Sequence, residues 1–312
     1  MEIKSLIDAF GLNETHSPES LYAYAPVYRV GEYVIKKTQS PLTNAKRLMQ
    51  FTTSLKEAGV RIVTPALLSS PNPIQVGDDC FVVYPFIKGN AYTGTQKQIR
   101  EAGKLLGQIH QQSEGQNTWK LPVYDVFDFY HHEVKESMAK IREHAIRAQS
   151  LIPLDQLEQT FAAAVDAQDE LGNAPLKYVL TPHDYKANNL LYTDSSPVLI
   201  DPDNAGYVPA IFDLALVLLL FHNEMASAPH RAFTPDEWAS FMEGYNEYYE
   251  VGASDLPWWH QAVKHVFLDE VMWLMAEVEE DWARQEQVSR FESAVSIVQN
   301  IDQFRIDGRK EE

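Results

Sequence analysis

The sequence contains almost no cysteine, since Cys80 is the only one among its 312 residues. A lone cysteine excludes an intramolecular disulfide and favours a reducing compartment over a secreted setting. Long apolar runs are also missing, because the most apolar stretch, residues 214–221, is too short to span a bilayer. The first four residues lack the basic and apolar regions of a secretory signal. We therefore expect a cytoplasmic protein that has no membrane partner.

Basic residues are scarce as well, with 26 lysines and arginines against 44 aspartates and glutamates, a formal net charge of −18. This balance disfavours a nucleic-acid partner, because phosphate backbones are bound by clusters of lysine and arginine. An acidic cleft would instead concentrate a cationic substrate, although acidity also serves solubility alone. Apolar residues make up 45% of the chain, enough for a large buried core in one large domain or two smaller ones.

The first third of the chain predicts a β-rich unit with one helix. Strands are expected at residues 27–30, 33–37, 62–67 and 80–87. Gly31 and Glu32 join the first two strands as a two-residue turn of the type that begins with glycine. A helix should begin near Pro41 and end at Gly59. Residues 71–79 should form a turn, because they are rich in proline, asparagine and glycine.

The remainder of the chain predicts a mostly helical unit. Thr95 and Gln98 form a capping-box pattern that should start a helix. Further helices are expected over residues 125–148, over residues 155–171 and from residue 211 onward. One short β-rich island interrupts them, with strands at residues 178–180, 190–192 and 198–200. The predicted fold class is therefore α+β, with a small β-rich N-lobe at residues 1–87 and a larger, mostly helical C-lobe at residues 88–312.

The β-rich island carries the residues with the clearest chemistry. Asp184 begins a loop between two apolar strands, Asn189 follows five residues later, and Asp201 ends the second strand of the next hairpin. Neighbouring strands of one hairpin would bring Asn189 and Asp201 together, with Asp184 on the adjoining loop. One carboxylate and one amide oxygen suit Mg²⁺, which takes oxygen ligands and draws the rest from phosphates and water. The other carboxylate would then accept a proton from an attacking hydroxyl.

This order of residues, followed by an Asp-Leu-Ala segment headed by Asp213, resembles the aminoglycoside phosphotransferase and choline kinase family. The family is distantly related to protein kinases, so the resemblance implies a two-lobed, protein-kinase-like fold. It also implies an ATP-dependent enzyme that uses Mg²⁺ and transfers the γ-phosphate to a hydroxyl of a small molecule. Under this resemblance Asp184 is the catalytic base, and Asn189 and Asp201 hold Mg²⁺. Asp203 adds a metal contact, and Asp213 is structural, tying the catalytic loop to the following helix.

The resemblance extends to the nucleotide site. Lys36 ends a Tyr-Val-Ile-Lys strand at the place where these kinases keep the lysine that reaches the α- and β-phosphates. Because side chains alternate along a strand, Val34 shares this face and would cover the adenine, whereas Lys37 points away and is the alternative lysine. The strand and linker that follow should place the backbone of Tyr84 and Phe86 at the adenine edge.

Three features depart from the family pattern. Pro182 stands where a histidine usually precedes the catalytic aspartate, and residues 24–27 stand in place of a glycine-rich phosphate loop. In the N-lobe helix, Leu48 takes the place of the glutamate that normally pairs with the lysine. These departures keep a second hypothesis open, in which the chain is a catalytically weak or inactive nucleotide-binding scaffold on the same fold.

The segment between Asp201 and Asp213 is short and lacks an Ala-Pro-Glu motif. Protein kinases use a longer segment there to hold a peptide, so a small-molecule substrate is favoured. The acidic composition favours a cationic one, such as an aminoglycoside or an amino alcohol, with sugars, macrolides and homoserine as further candidates. Glu270, Trp273 and Glu277 are the candidate substrate contacts. The alternative places such aromatics in the core and such carboxylates on the surface. The choice between ATP and GTP and the oligomeric state stay open.

Overall fold

The computed structural model describes residues 3–12, 17–21, 26–38, 40–113, 115–194 and 196–307. Antiparallel strands build the small N-lobe: β1 (Glu19–Ser20), β2 (Val27–Val30), β3 (Tyr33–Thr38), β4 (Ile74–Val76) and β5 (Asp79–Pro85). They form one sheet in the order β1-β2-β3-β5-β4. Two helices accompany this sheet, α1 (Ile3–Ala9) and α2 (Leu42–Glu57).

The C-lobe is larger and mostly helical. Its described α-helices are α3 (Gln96–Gln111), α4 (His131–Arg147), α5 (Leu154–Gly172), α6 (Ala210–Leu220), α7 (Pro235–Tyr245), α8 (Trp259–Val266), α9 (Met272–Glu277) and α10 (Gln285–Gln299). Its strands are β6 (Tyr178–Thr181), β7 (Leu190–Thr193), β8 (Ser196–Leu199) and β9 (Gly206–Pro209). β6 pairs with β9, and β7 pairs with β8. The predicted two-lobed α+β fold class is confirmed. In the part of the chain that the structure describes, no helix is long and apolar enough to cross a membrane.

The turn and the buried face of the β2–β3 hairpin favour the same pairing of the two strands. Val30 pairs with Tyr33 across the turn, where Gly31 adopts a φ of +60° that glycine tolerates without steric penalty. Ile35 is fully buried in a small cluster that also contains side chains of α1 and β5. Alternation along β3 then leaves Lys36 on the opposite face, toward the C-lobe.

Two predicted features of the N-lobe are wrong. Residues 62–67 do not form a sheet strand, and Ile62 makes an isolated bridge to Leu199 of β8. Val63 packs against Val82 and Tyr84 of β5. The Ala66 amide donates to the Val83 carbonyl oxygen at 2.8 Å, so the segment is extended without being a strand. The edge strand is instead β4, inside the segment 71–79 that the sequence predicts as a turn. Gly77, at a φ of +62°, closes the β4–β5 hairpin, so the turn is shorter than its composition suggests.

The predicted helix starts are mostly confirmed. α2 begins directly after Pro41 and ends before Gly59, which has a φ of +88°. α3 opens with the predicted capping box of Thr95 and Gln98. α4 begins at His131, later than the sequence predicts.

The sequence does not predict β9, which also explains the late start of α4. β9 pairs with β6 on one side and bridges Val123 on the other. The Tyr207 amide donates to the Pro122 carbonyl oxygen at 2.8 Å, and the Tyr124 amide donates to the Tyr207 carbonyl oxygen at 3.0 Å. These bonds keep the chain before α4 extended, where it forms one wall of the site described below.

One continuous apolar core joins the lobes. Leu48 and Phe51 of α2 belong to the same buried cluster as the C-lobe helices. Within the C-lobe, α3 and α7 meet backbone to backbone, since a Cβ on Gly103 would lie 1.9 Å from the Phe241 carbonyl oxygen. α6 is buried along its whole length, so its first turn holds Asp213 away from water.

Candidate active site

The loop between β6 and β7 holds Asp184 in a strained backbone conformation. His183 and Asp184 have φ values of +52° and +49°, and such left-handed conformations cost a non-glycine residue on the order of 1 kcal/mol or more. The loop is fixed on both sides of this strain. Asn189 Nδ2 donates to the Asp184 carbonyl oxygen at 3.0 Å. The Ala187 amide donates to the Phe221 carbonyl oxygen at 2.8 Å. Strain of this kind is found where a site needs one particular backbone geometry.

The Asp184 carboxylate pairs with a lysine of its own loop. Lys186 Nζ lies 2.6 Å from Asp184 Oδ1, and Asn204 Nδ2 lies 3.5 Å from Asp184 Oδ2. Burial acts to lower the pKa of Lys186, but the charge of Asp184 and its hydrogen bond outweigh burial, so the pKa is raised. Lys186 therefore keeps its proton at neutral pH and places a cation beside the predicted base. Lys186 was not predicted from the sequence, although its place two residues after Asp184 was a usable signal.

Asn189 and Asp201 come together through the β7–β8 hairpin. The Ile200 amide donates to the Asn189 carbonyl oxygen at 3.0 Å, which places Asp201 next to Asn189 along the hairpin. Because the Asn189 Nδ2 donates to the β6–β7 loop, the amide oxygen of that side chain is available to a ligand. Among the described residues, no three His, Cys, Asp or Glu side chains converge to hold a metal by themselves. This set fits Mg²⁺, which is held by few protein oxygens and takes its other ligands from phosphates and water.

Lys36 crosses from the N-lobe to the carboxylates of the C-lobe. Its Nζ lies 2.5 Å from Asp201 Oδ1 and 3.0 Å from Asp203 Oδ2. Burial acts to lower the pKa of Lys36, but the charges of Asp203 and then Asp201 raise it overall. Lys37 pairs instead with Asp79 at 2.7 Å on the other side of the sheet. The structure thus brings Lys36, and not the alternative Lys37, to the predicted site.

The predicted adenine contacts lie on β3, on β5 and just after β5. Val34 pairs with Tyr84 in the β3–β5 register. The Tyr84 ring is buried, and its hydroxyl donates to Asp203 Oδ1 at 3.3 Å. The Phe86 amide already donates to the Glu32 carbonyl oxygen at 2.8 Å, so an adenine would meet this amide only after that bond opens.

The Phe86 ring also has a partner, since the Arg29 guanidinium lies 3.8 Å from its centroid. The adenine contacts therefore stay predictions. Two residues of the segment 24–27, Tyr24 and Ala25, lie outside the described residues.

A cavity of about 620 Å³ opens between the lobes beside these groups. It is walled by the first half of α2, the extended chain before α4, the β6–β7 loop that holds Asp184, and the segment that leads into β9. Four of the described residues that line it are carboxylates, Asp125, Asp184, Asp203 and Glu270, whereas Lys186 supplies their one lysine. The cavity is therefore acidic, and its cation lies next to Asp184.

Glu270 is the predicted substrate contact that reaches this cavity. It lies in a π-helical turn, residues 267–271, between α8 and α9, a geometry frequent at functional sites. Burial, and then the charge of Asp269, raise the pKa of Glu270 above its usual value. Asp269 itself accepts a hydrogen bond from the Tyr124 hydroxyl at 2.8 Å.

Trp273 and Glu277, the other two predicted substrate contacts, are not among the residues that line the cavity. The Trp273 side chain is 57% exposed. The Glu277 carboxylate lies 2.8 Å from Lys140 Nζ on α4. The structure therefore does not bring them together with Glu270 at the cavity, and their role stays a prediction.

Asp213 joins three elements behind the catalytic loop. Its fully buried Oδ2 bonds with His110 Nε2 at 2.9 Å and with Thr181 Oγ1 at 2.8 Å. His110 Nδ1 in turn lies 2.7 Å from the Tyr245 hydroxyl. Burial acts to raise the pKa of Asp213, but the hydrogen bond and charge of His110 lower it overall. Asp213 thus receives an imidazole from α3, a partner that the sequence motif did not reveal.

This fold has counterparts among known proteins. The family model described as the phosphotransferase enzyme family (APH) matches residues 22–261. The chain belongs to this family. The resemblance stated from the sequence is thereby confirmed. No curated protein matches the sequence.

Solved structures of the same fold cover nearly the whole chain. The microcompartment-associated aminopropanol kinase is 14% identical, with a TM-score of 0.68 and coverage of 97% of this chain and 98% of that one. A spectinomycin phosphotransferase in complex with ADP and spectinomycin is 19% identical, with a TM-score of 0.62 and coverage of 96% and 97%. The choline kinase LicA from Streptococcus pneumoniae is 16% identical, with a TM-score of 0.56 and coverage of 96% and 98%. Likeness at these identities establishes the fold.

Proposed function

We propose that this member of the phosphotransferase family is an ATP-dependent small-molecule kinase that transfers the γ-phosphoryl group to a hydroxyl of a cationic substrate. The observation that carries the proposal is the acidic cavity lined by Asp184 and Asp203, where Lys36 reaches across from the N-lobe to within 3.0 Å of Asp203. The proposed lobes are residues 1–87 for the nucleotide and residues 88–312 for catalysis and the substrate.

Asp184 would act as the general base. A substrate hydroxyl in the cavity would donate its proton to the Asp184 carboxylate as its oxygen forms the new bond to the γ-phosphorus. The bond between that phosphorus and the β–γ bridging oxygen breaks, and ADP leaves. Lys186, 2.6 Å from Asp184, would offset the negative charge of the transferred group and fix the direction of the carboxylate.

Lys36 would hold the α- and β-phosphates of the nucleotide. Asn189 and Asp201 would hold Mg²⁺, and the ion, when bound, supplies charge neutralisation at the β- and γ-phosphates. Transfer of this kind depends mostly on placement and electrostatics, which a rigid loop and a shared core between the lobes favour.

The acidic cavity supports a cationic acceptor. Glu270 lies in its wall, and no described residue gives that carboxylate a hydrogen bond or an ion pair. An ammonium group of the substrate would provide the missing partner. The compounds named for three structural neighbours, aminopropanol, choline and spectinomycin, all carry a cationic nitrogen at neutral pH.

The second hypothesis, an inactive scaffold, is favoured by one observation. The helix α2 offers Lys36 no acidic partner, because its single carboxylate is Glu57 at its final residue. A scaffold would bind the nucleotide and transfer nothing.

One experiment separates the two functions. ATP consumption with Mg²⁺ is measured against aminoglycosides, amino alcohols, neutral sugars and macrolides, with GTP in parallel and nucleotide binding followed by calorimetry. We expect turnover on one cationic class, reduced roughly 10²- to 10⁴-fold in Asp184→Ala, with ATP binding retained. Asp79→Asn, which removes a carboxylate that does not line the cavity, is the control and should behave like wild type. ATP binding without turnover on any acceptor would favour the scaffold, and failure to bind ATP would contradict both functions.

A further inference from the structure

We propose that Asp203 is a positioning residue for Lys36 and not a ligand of the metal. It takes the role of the helix carboxylate that α2 does not supply. This inference rests on the proposed function, because it concerns how the chain arranges its charges around ATP. It also replaces the expectation, drawn from resemblance, that Asp203 adds a metal contact.

Both carboxylate oxygens of Asp203 are used by the protein. Oδ2 lies 3.0 Å from Lys36 Nζ, and Oδ1 accepts a hydrogen bond from the Tyr84 hydroxyl at 3.3 Å. The Asp203 side chain is only 9% exposed, whereas that of Asp201 is 37% exposed. Mg²⁺ keeps several waters and so needs open access to its protein ligands. Asp201 meets this need, because it is the more exposed and no described residue bonds its Oδ2. Asp203 lines the cavity, but both of its oxygens already have partners in the protein.

The N-lobe helix cannot supply the partner. Asn44 and Leu48 of α2 line the cavity, and the acidic residue of this helix, Glu57, ends it. Asn44 and Glu57 are thirteen positions apart in the helix, a rise of about 20 Å. A carboxylate on the segment after β8 therefore replaces one on the helix.

The two aspartates then have different tasks. In the ligand-free chain Lys36 pairs with both, at 2.5 Å from Asp201 and 3.0 Å from Asp203. With nucleotide and metal bound, Asp201 would hold the metal, and Asp203 would remain the partner of Lys36. The position of Lys36 consequently depends on the C-lobe and on Tyr84, and not on any movement of α2.

Mn²⁺ in place of Mg²⁺ distinguishes a metal ligand from a positioning residue. Its affinity for the complex of the protein with ADP is measured by electron paramagnetic resonance. We expect Asp201→Asn to weaken Mn²⁺ binding at least tenfold and Asp203→Asn to change it less than threefold. Equal weakening by the two variants would overturn the inference.

A double-mutant cycle tests the contact between Asp203 and Lys36. Thermal unfolding of the ligand-free protein is compared for Asp203→Asn, for Lys36→Met and for the double variant. Each single change leaves one poorly exposed charge without this partner, so we expect the double variant to lose less stability than the sum of the two. Additive losses would contradict the proposal. When ATP turnover is measured for the same three variants, the double variant should be no slower than Lys36→Met.

Two further variants test whether the effects come from the contact between Asp203 and Lys36 and not from misfolding. Tyr84→Phe removes only the hydroxyl that holds Asp203, and we expect it to slow turnover while leaving Mn²⁺ affinity unchanged. Asp79→Asn removes the partner of Lys37 on the opposite side of the sheet and should change neither turnover nor Mn²⁺ affinity. If wild type binds ADP and Mn²⁺ but the cycle is additive, this inference alone fails. If wild type binds no nucleotide, the proposed function fails with it.

Discussion

The Glu270 carboxylate lies in the wall of the cavity without a hydrogen-bond or ion-pair partner among the described residues. A half-buried carboxylate without a hydrogen-bond partner destabilises a folded protein, because its charged form loses water and gains no hydrogen bond in return. Such a group is explained if a ligand provides the partner. Burial first, and the charge of Asp269 second, raise its pKa above the ordinary 4.5.

Glu270→Gln should therefore stabilise the protein and weaken the binding of its substrate. A raised pKa means that the folded state favours the protonated form, so Glu270 lowers stability as the pH rises from 4.5 through the raised value. We expect the variant to melt above wild type at pH 8, with the difference vanishing at pH values below 4.5. The KM of a cationic acceptor should rise roughly tenfold or more, because the amide carries no charge to pair with an ammonium group.

The matched control is Glu279→Gln, whose carboxylate pairs with Arg147 on the surface. It should change neither the melting temperature nor the KM of the acceptor beyond the small effect of an exposed ion pair. A cationic acceptor that binds Glu270→Gln as tightly as wild type would remove Glu270 from the substrate site.

At the scale of elements, the crossing of α3 and α7 fixes the frame of the C-lobe. A Cβ on Gly103 would lie 1.9 Å from the Phe241 carbonyl oxygen, and one on Gly244 would lie 2.0 Å from the Arg100 carbonyl oxygen. Glycine at these positions lets two backbones touch, at the usual loss of helix propensity. α3 also carries His110, so its position determines where the imidazole meets Asp213.

Gly103→Ala should consequently destabilise the protein, although alanine favours a helix. The added methyl group forces the two helices apart, and overpacking of this kind costs about 1 to 3 kcal/mol or more. Urea unfolding monitored by circular dichroism measures the loss. Lys97→Ala, on the exposed face of the same helix, should be nearly neutral. Equal stability of the two variants would show that α3 and α7 do not pack this closely.

At the scale of the whole molecule, the net charge and the apolar core shared by the lobes both affect the cavity. The formal net charge is −18, and four carboxylates line the cavity between the lobes. Fields of this sign raise the local concentration of a cation and repel an anion. The shared core of α2 and the C-lobe keeps the walls of the cavity in place.

This field predicts a dependence on salt. As ionic strength rises from about 0.03 M to about 0.5 M, screening should lower kcat/KM for a cationic acceptor several-fold. An uncharged hydroxyl acceptor of the same enzyme serves as the control and should lose less. Initial rates at fixed Mg²⁺ and ATP measure both, and equal losses for the two acceptors would exclude a role for the field in capture of the substrate.

The sequence by itself determined those features that depend on residues close together in the chain. Glycine at the β2–β3 turn, the capping box of α3 and alternation along β3 predicted those elements and the face of Lys36. The order of Asp184, Asn189 and Asp201 predicted one site, because a short hairpin leaves little freedom in how they are arranged. The strand predicted at residues 62–67 was wrong, since apolar extended segments look alike whether they pair in a sheet or pack between lobes.

Only the tertiary structure decided which distant groups became partners. Lys36 and Asp201 are 165 positions apart, and His110 and Asp213 are 103 positions apart. No local pattern links such residues, because their meeting depends on how whole elements pack. The same reason explains why Glu270 lines the cavity while Glu277, on the same stretch of chain, pairs with Lys140 outside its lining. A π-helical turn holds the first of these carboxylates at the cavity, and its position could not be foreseen from spacing.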